Sequence, residues 1–319
     1  GLGQFICVFL FDYLIKYFGF NKLFLFSTTL ISISLLINYI YPYYYTIQIF
    51  IPIIACFETI GFLCLFELFA NIINKHNNGL FSIVNQISKS FSIVVSTLNA
   101  IIDNLLLWLI CSILISILMF IMSDIRVKPK PINLPTGVYI VYKSYKSYFW
   151  SCIFYVISDT ILSNFFIFTL RNLNYSLNQC LMFSILLFIS KLITNIINIY
   201  LPNIILYFNL WVHCILIFIA LLSGILSIYQ AQFIFLIVFF IIYGILIVNL
   251  RYKLMFILNQ YIINKKQLIS ITQTHYKIEY CGAIFGNIIG TVGTYFGIYG
   301  IIYTCTMANL LSWLYSILL

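Results

Sequence analysis

The sequence predicts an all-α polytopic membrane protein built as two pseudo-symmetric helical bundles, with eleven transmembrane helices present of an expected twelve. Three observations predict it. Of 319 residues, 63% are hydrophobic and only 7% charged, with a mean hydropathy of +1.09. A soluble domain carries about 25% charged residues, so this chain cannot cover a water-facing surface. Apolar runs long enough to cross a bilayer as a helix, about 20 residues, recur along its length. The basic residues between those runs fall almost wholly on one side.

The runs lie at 2–19, 22–41, 45–73, 80–101, 104–123, 148–170, 177–199, 203–225, 230–250, 276–296 and 301–319. They lack the alternation of a membrane strand, and lipid offers no partner to an open backbone, so each is expected as a helix. Alternate connections hold Lys16, Lys22, Lys75, Arg126, Lys128, Lys130, Lys143, Lys146, Arg251, Lys253, Lys265 and Lys266, and the opposite set holds Arg171. Excess Lys and Arg marks cytosolic loops. The 124–147 linker and the C-terminus are therefore expected in the cytosol, and Gly1 outside. No signal peptide precedes the first run, so an upstream helix absent from this chain is expected, making six helices plus six. The same rule explains the formal charge of +9 with no nucleic-acid partner.

The connector "SDIRVKPKPINLPTGVYIVYKSYKSY", Ser123–Tyr148, carries three prolines and five basic residues. It reads as a linker between a five-helix bundle, 1–123, and a six-helix bundle, 148–319. The nine cysteines lie almost wholly in apolar runs with no CxxC pair, as small hydrophobes and not as zinc ligands or disulfides. No cofactor or metal is expected.

Ionisable groups inside spans are costly and mark candidate functional sites. Glu58 and Glu67 lie in the third run, Lys89 in the fourth, Asp159 in the sixth, Lys191 in the seventh, and His275, Lys277 and Glu279 at the start of the tenth. At the helical rise, Lys89 and Lys191 come out roughly 12 to 14 Å from the cytosolic ends, Asp159 about 16 Å and Glu58 about 22 Å. Ser82, Gln86 and Lys89 share one helical face, as do Lys191, Asn195 and Asn198, and Ser163 follows Asp159 by one turn. A lysine on a polar stripe points away from lipid, so Lys191 is expected to face a cavity between the bundles. The alternative is a structural ion pair between Lys191 and Asp159 that fixes helix register, a pairing that is weak evidence for stability. His213, mid-span beside Trp211, is expected as a satisfied packing histidine.

"HYKIEYCGAIFGNIIGTVGTYFG" places His275, Glu279, Gly282, Gly286, Gly290, Gly293 and Gly297 at spacings of 4, 3, 4, 4, 3 and 4. Small residues on one stripe let helix backbones approach closely in membranes. Static packing is the plain expectation. The sharper one is a sliding surface between bundles, with His275 and Glu279 as a cytosolic gate latch.

Six plus six helices, both ends cytosolic, resembles the major facilitator superfamily of secondary transporters. That family carries a Gly-x-x-x-Asp-(Arg/Lys)-x-Gly-(Arg/Lys)-(Arg/Lys) motif in the cytosolic turn between its second and third helices. The turn here reads "FDYLIKYFGFNKLFLF". Asp12 precedes Gly19 by seven residues instead of three, Lys16 stands where the acid normally falls, and Lys22 supplies the trailing base. The resemblance implies a gating role for Asp12 and Gly19. It also implies that the spans of Lys89, Lys191, Asp159 and Glu58 line or gate a central cavity.

The function expected is secondary active transport of a small organic solute across the bilayer by alternating access. Substrate contacts are expected from Lys89, Lys191, Asp159, Glu58, Gln86 and Asn195. Two lysines at one depth point to an anionic or zwitterionic solute, and a titrating Asp159 or Glu58 to proton symport. The alternatives are a membrane-embedded acyl- or glycosyltransferase, disfavoured by short loops and few acids, and a channel or sensor of the same fold. No P-loop spacing occurs to bind ATP.

Overall fold

In the computed structural model, residues 2–41, 43–72, 146–200, 210–229, 233–260 and 265–318 are described, with single positions between 91 and 117. Every element among them is helical. By contact the chain divides into two units, Gly1–Ile73 with Ile102–Pro135, and Asn74–Ile101 with Thr136–Leu319.

The first unit holds α1 (Leu2–Phe18), α2 (Phe20–Ile40) and α3 (Tyr44–Ile72). Both α1 and α2 pack on α3. A single residue, Gly19, separates α1 from α2, at φ 70° and ψ 159°. That combination is open essentially to glycine alone, which is why the turn of the expected motif has glycine there.

The second unit holds α4 (Lys146–Asn172), α5 (Leu177–Tyr200), α6 (Leu210–Tyr229), α7 (Phe233–Gln260), α8 (Lys265–Thr294) and α9 (Gly297–Ile317). α4 packs along α8 and α9, α5 along α7, and α6 along α7 and α9. Segment 74–101 groups with this unit, across the boundary expected at residue 123. Phe91 lies 5.8 Å from Phe188, and Thr97 Oγ1 is 3.1 Å from Ser184 Oγ, both on α5.

The pattern on α5 is inverted relative to a soluble helix. Ile185, Ile189, Ile193, Ile196 and Ile197 are exposed, while Ser184, Lys191, Asn195 and Asn198 are buried. Apolar outside and polar inside is what a lipid solvent selects. Asn21–Ile40, Tyr44–Gly61, Leu177–Asn198 and Phe233–Leu254 are long and apolar enough to cross a membrane, and Trp211–Ser227 is apolar but shorter.

Two expected boundaries move. α7 continues ten residues past the expected end at 250, and α8 begins at Lys265 instead of 276. Hydropathy marks the part of a helix that crosses hydrocarbon, not its polar extension beyond. Arg251 and Lys253, expected in a loop, are therefore helical. The stripe expected to run to Gly297 breaks after Thr294, since Gly297 opens α9 with φ 64°. The linker and most of the runs at 80–101 and 104–123 lie outside the described residues.

Candidate functional site

Lys191 Nζ donates to Asp159 Oδ1 at 2.8 Å. The amine side chain is 6% exposed and the carboxylate 18%. α4 and α5 run past each other, so residues placed at similar depth by counting meet here. The stripe of Lys191, Asn195 and Asn198 is buried throughout. Asn195 does not reach the amine: its Nδ2 donates back to Lys191 O at 2.8 Å. Asn198 Nδ2 donates to Asn249 Oδ1 on α7 at 3.3 Å. Ser163, one turn from Asp159, lines a small cavity with Ser184 and Phe240 between α4, α5 and α7.

Residues beside the two charges tie these helices together. Ser158 Oγ donates to Cys305 O at 2.8 Å. Its only hydrogen being used there, Ser158 accepts from the Tyr243 hydroxyl. On the other side Gly244 of α7 meets Ser190 of α5. Sequence reasoning passed over Tyr243, Gly244 and Ser158, which are neutral and sit in ordinary apolar context.

A second cluster joins α4, α7 and α8. Arg251 Nη2 lies 3.3 Å from Glu279 Oε1, and His275 Nε2 lies 3.3 Å from the same oxygen. His275 Nδ1 is 2.8 Å from Tyr148 Oη and 3.6 Å from Cys152 Sγ. All five residues are buried. His275 and Glu279 thus meet as the stripe predicts, and their partners come from α4 and α7 of the same unit. Arg251 was the missed member. A buried Glu279 demands a cation, and that demand was the available signal.

The glycines continue this seam. A Cβ on Gly282 would stand 2.9 Å from Val156 Cβ, and one on Gly286 would stand 2.8 Å from Thr160 Cβ and 3.2 Å from Ile157 O. Gly290 likewise abuts Phe165. These three face α4 within their own unit, close enough for the two backbones to approach. Farther along, Asn164 Nδ2 donates to Asn287 Oδ1 at 2.9 Å. His213 is buried, with Nε2 2.9 Å from Asn309 Oδ1 and its ring stacked 4.1 Å from Trp313.

In the first unit, Glu58 is exposed on α3 and makes no ion pair among the described residues. Lys16 and Lys22 flank the Gly19 turn, both exposed. Ser82, Gln86 and Lys89, and the side chains of Asp12 and Glu67, lie outside the described residues. Among those described, no cluster of His, Cys, Asp or Glu is able to hold a metal ion.

No family model and no curated protein matches the sequence. Solved structures do match. The E. coli fucose:proton symporter FucP, as a point variant, superposes with TM-score 0.62 at 12% identity, covering 99% of this chain and 88% of that one. FucP in the outward conformation, described as a major facilitator superfamily transporter, gives TM-score 0.60 at 12% identity, with 99% and 87% covered. The chain has the major facilitator superfamily transporter fold. With that fold and its apolar helices it is an integral membrane protein. Within that fold, the second unit carries the Lys191–Asp159 pair and the buried Arg251–Glu279–His275 cluster.

Proposed function

We propose that the chain is a secondary active transporter moving a small organic solute by alternating access, and that the solute is a zwitterion or an anion accompanied by a proton. The 2.8 Å Lys191–Asp159 pair carries this reading. Removing one partner from a buried pair costs about 3–5 kcal/mol, because the other charge is left uncompensated. A solute carboxylate that draws Lys191 away takes the 2.8 Å ammonium partner from Asp159. The exchange is favourable only if something positive then takes the carboxylate. A zwitterion brings its own ammonium. A simple anion needs a proton on Asp159. Either way the bound state is electroneutral at the pair.

The surplus of positive charge expected from the sequence is smaller than counting implied, since Lys191 is already paired. Lys89 and Gln86 remain proposed contacts, Asn195 a proposed support of Lys191, and Glu58 the other proposed proton carrier. Asp12 and Gly19 are proposed for gating, with the linker and C-terminus in the cytosol. Fold likeness to the fucose:proton symporter FucP supports transport over a membrane-embedded transferase and supports the proton-coupled alternative.

The experiment is uptake into proteoliposomes holding a pH dye, with labelled amino acids and labelled monocarboxylates tested separately. Zwitterion uptake without acidification, or carboxylate uptake with about one proton each, agrees with the pair-exchange rule. Carboxylate uptake that carries net negative charge and no proton overturns it.

A further inference from the structure

We infer that the consecutive residues Tyr243 and Gly244 of α7 are positioning residues that set the Lys191–Asp159 pair. Tyr243 is fully buried and donates to Ser158, the residue immediately before Asp159. Gly244 is seated against Ser190, the residue immediately before Lys191. A Cβ there would stand 3.1 Å from Ser190 Cβ and 3.5 Å from Lys191 N, with Ser190 Oγ closer still. Neighbouring residues on a helix point about 100° apart. One therefore faces α4 and the other α5, about 1.5 Å apart along α7, as one register step.

Height is what an ion pair needs. One residue of slip between α4 and α5 displaces a side chain by about 1.5 Å, enough to take a 2.8 Å contact out of hydrogen-bond range. The direct contact between α4 and α5 is slight, whereas α5 packs extensively on α7. The helix between them is the template. Tyr243 fixes α4 by a directional bond, with Ser158 also held by Cys305 O of α9 at 2.8 Å. Gly244 lets α5 come close, since an added Cβ would force Ser190 to shift. A movement of α7 that releases either grip parts the two charges. That consequence rests on the pair-exchange reading above; the positioning itself does not.

The test is a coupling cycle on the purified full chain in detergent, read by thermal unfolding. Tyr243→Phe and Gly244→Ala are each placed in the native chain and in the Asp159→Asn/Lys191→Gln background. If α7 acts through the pair, each substitution lowers the melting temperature in the native chain and lowers it by less than half as much once the charges are gone. The reciprocal exchange Ser190→Gly/Gly244→Ala recovers part of the loss in the native chain. Equal losses in both backgrounds mean that Tyr243 and Gly244 only pack, and overturn the inference. Should Gly244→Ala fail to accumulate, Tyr243→Phe completes the cycle alone, since it removes one hydroxyl and keeps the ring. Uptake measured on the same proteins separates the two claims. Coupling with no uptake by any of them, the native chain included, upholds positioning and removes the transport reading.

Discussion

Arg251 of α7 and Glu279 of α8 meet at 3.3 Å with both side chains buried. His275, one turn before Glu279, shares the same carboxylate oxygen and reaches Tyr148 of α4 through its other nitrogen. Three helices are therefore held at one level by a single carboxylate and a single imidazole.

Breaking the Arg251–Glu279 contact from one side takes a charge partner from a buried group. Arg251→Gln and Glu279→Gln are each expected to destabilise the protein by about 3–5 kcal/mol, seen as lower abundance in membranes and a lower melting temperature in detergent. Arg251→Gln/Glu279→Gln together should recover most of the loss, because both charges of the contact are removed at once. A double variant as unstable as the sum of the singles would contradict the pairing.

The α4–α8 seam depends on space, and the α1–α2 turn on backbone. Gly286→Ala places a Cβ 2.8 Å from Thr160 Cβ, an overpacking expected to cost about 1–3 kcal/mol. A paired Thr160→Gly, which removes the Cβ it would strike, should relieve part of it. A Cβ added at Gly19 would meet nothing within 4 Å, yet the residue sits at φ 70° and ψ 159°. Gly19→Ala and Gly19→Asn should therefore lose similar stability, about 1–3 kcal/mol, since asparagine tolerates the left-handed helical region and not this one. Melting temperatures of the four variants check both statements, and full tolerance of Gly19→Asn would sink the second.

Topology gives an independent check. A reporter inserted near Pro131 should be cytosolic, and one in the α4–α5 turn near Asn174 should not. The motivation is the concentration of Lys and Arg in alternate connections, with Arg171 as the lone exception. Both reporters on the same side would remove the span count.

Much of the fold was legible because lipid imposes a simple rule. Apolar runs near 20 residues mark helices, and α2, α5 and α9 fall within a few residues of their expected bounds. The ends of α7 and α8 were not legible, because Arg251 and Lys265 are polar for reasons unrelated to the helix stopping. The Lys191–Asp159 pair was foreseen as one of two alternatives, because helical rise places both near one depth. Which neighbours hold it was hidden. Ser158, Tyr243 and Gly244 matter through a hydroxyl bond and a missing side chain, and neither disturbs hydropathy. The grouping of Phe91 and Thr97 with α5 was hidden for another reason: chain order does not say which helices cross to pack elsewhere.

The pair itself decides the account. Lys191→Gln, Asp159→Asn and Lys191→Gln/Asp159→Asn should be purified and reconstituted, and uptake by each compared with its membrane abundance. If the pair exchanges with solute and proton, each single change abolishes uptake, and the double variant accumulates like the native chain while still failing to transport. If Lys191 only pins Asp159 for helix register, the double variant regains both abundance and normal uptake, and the exchange mechanism is wrong.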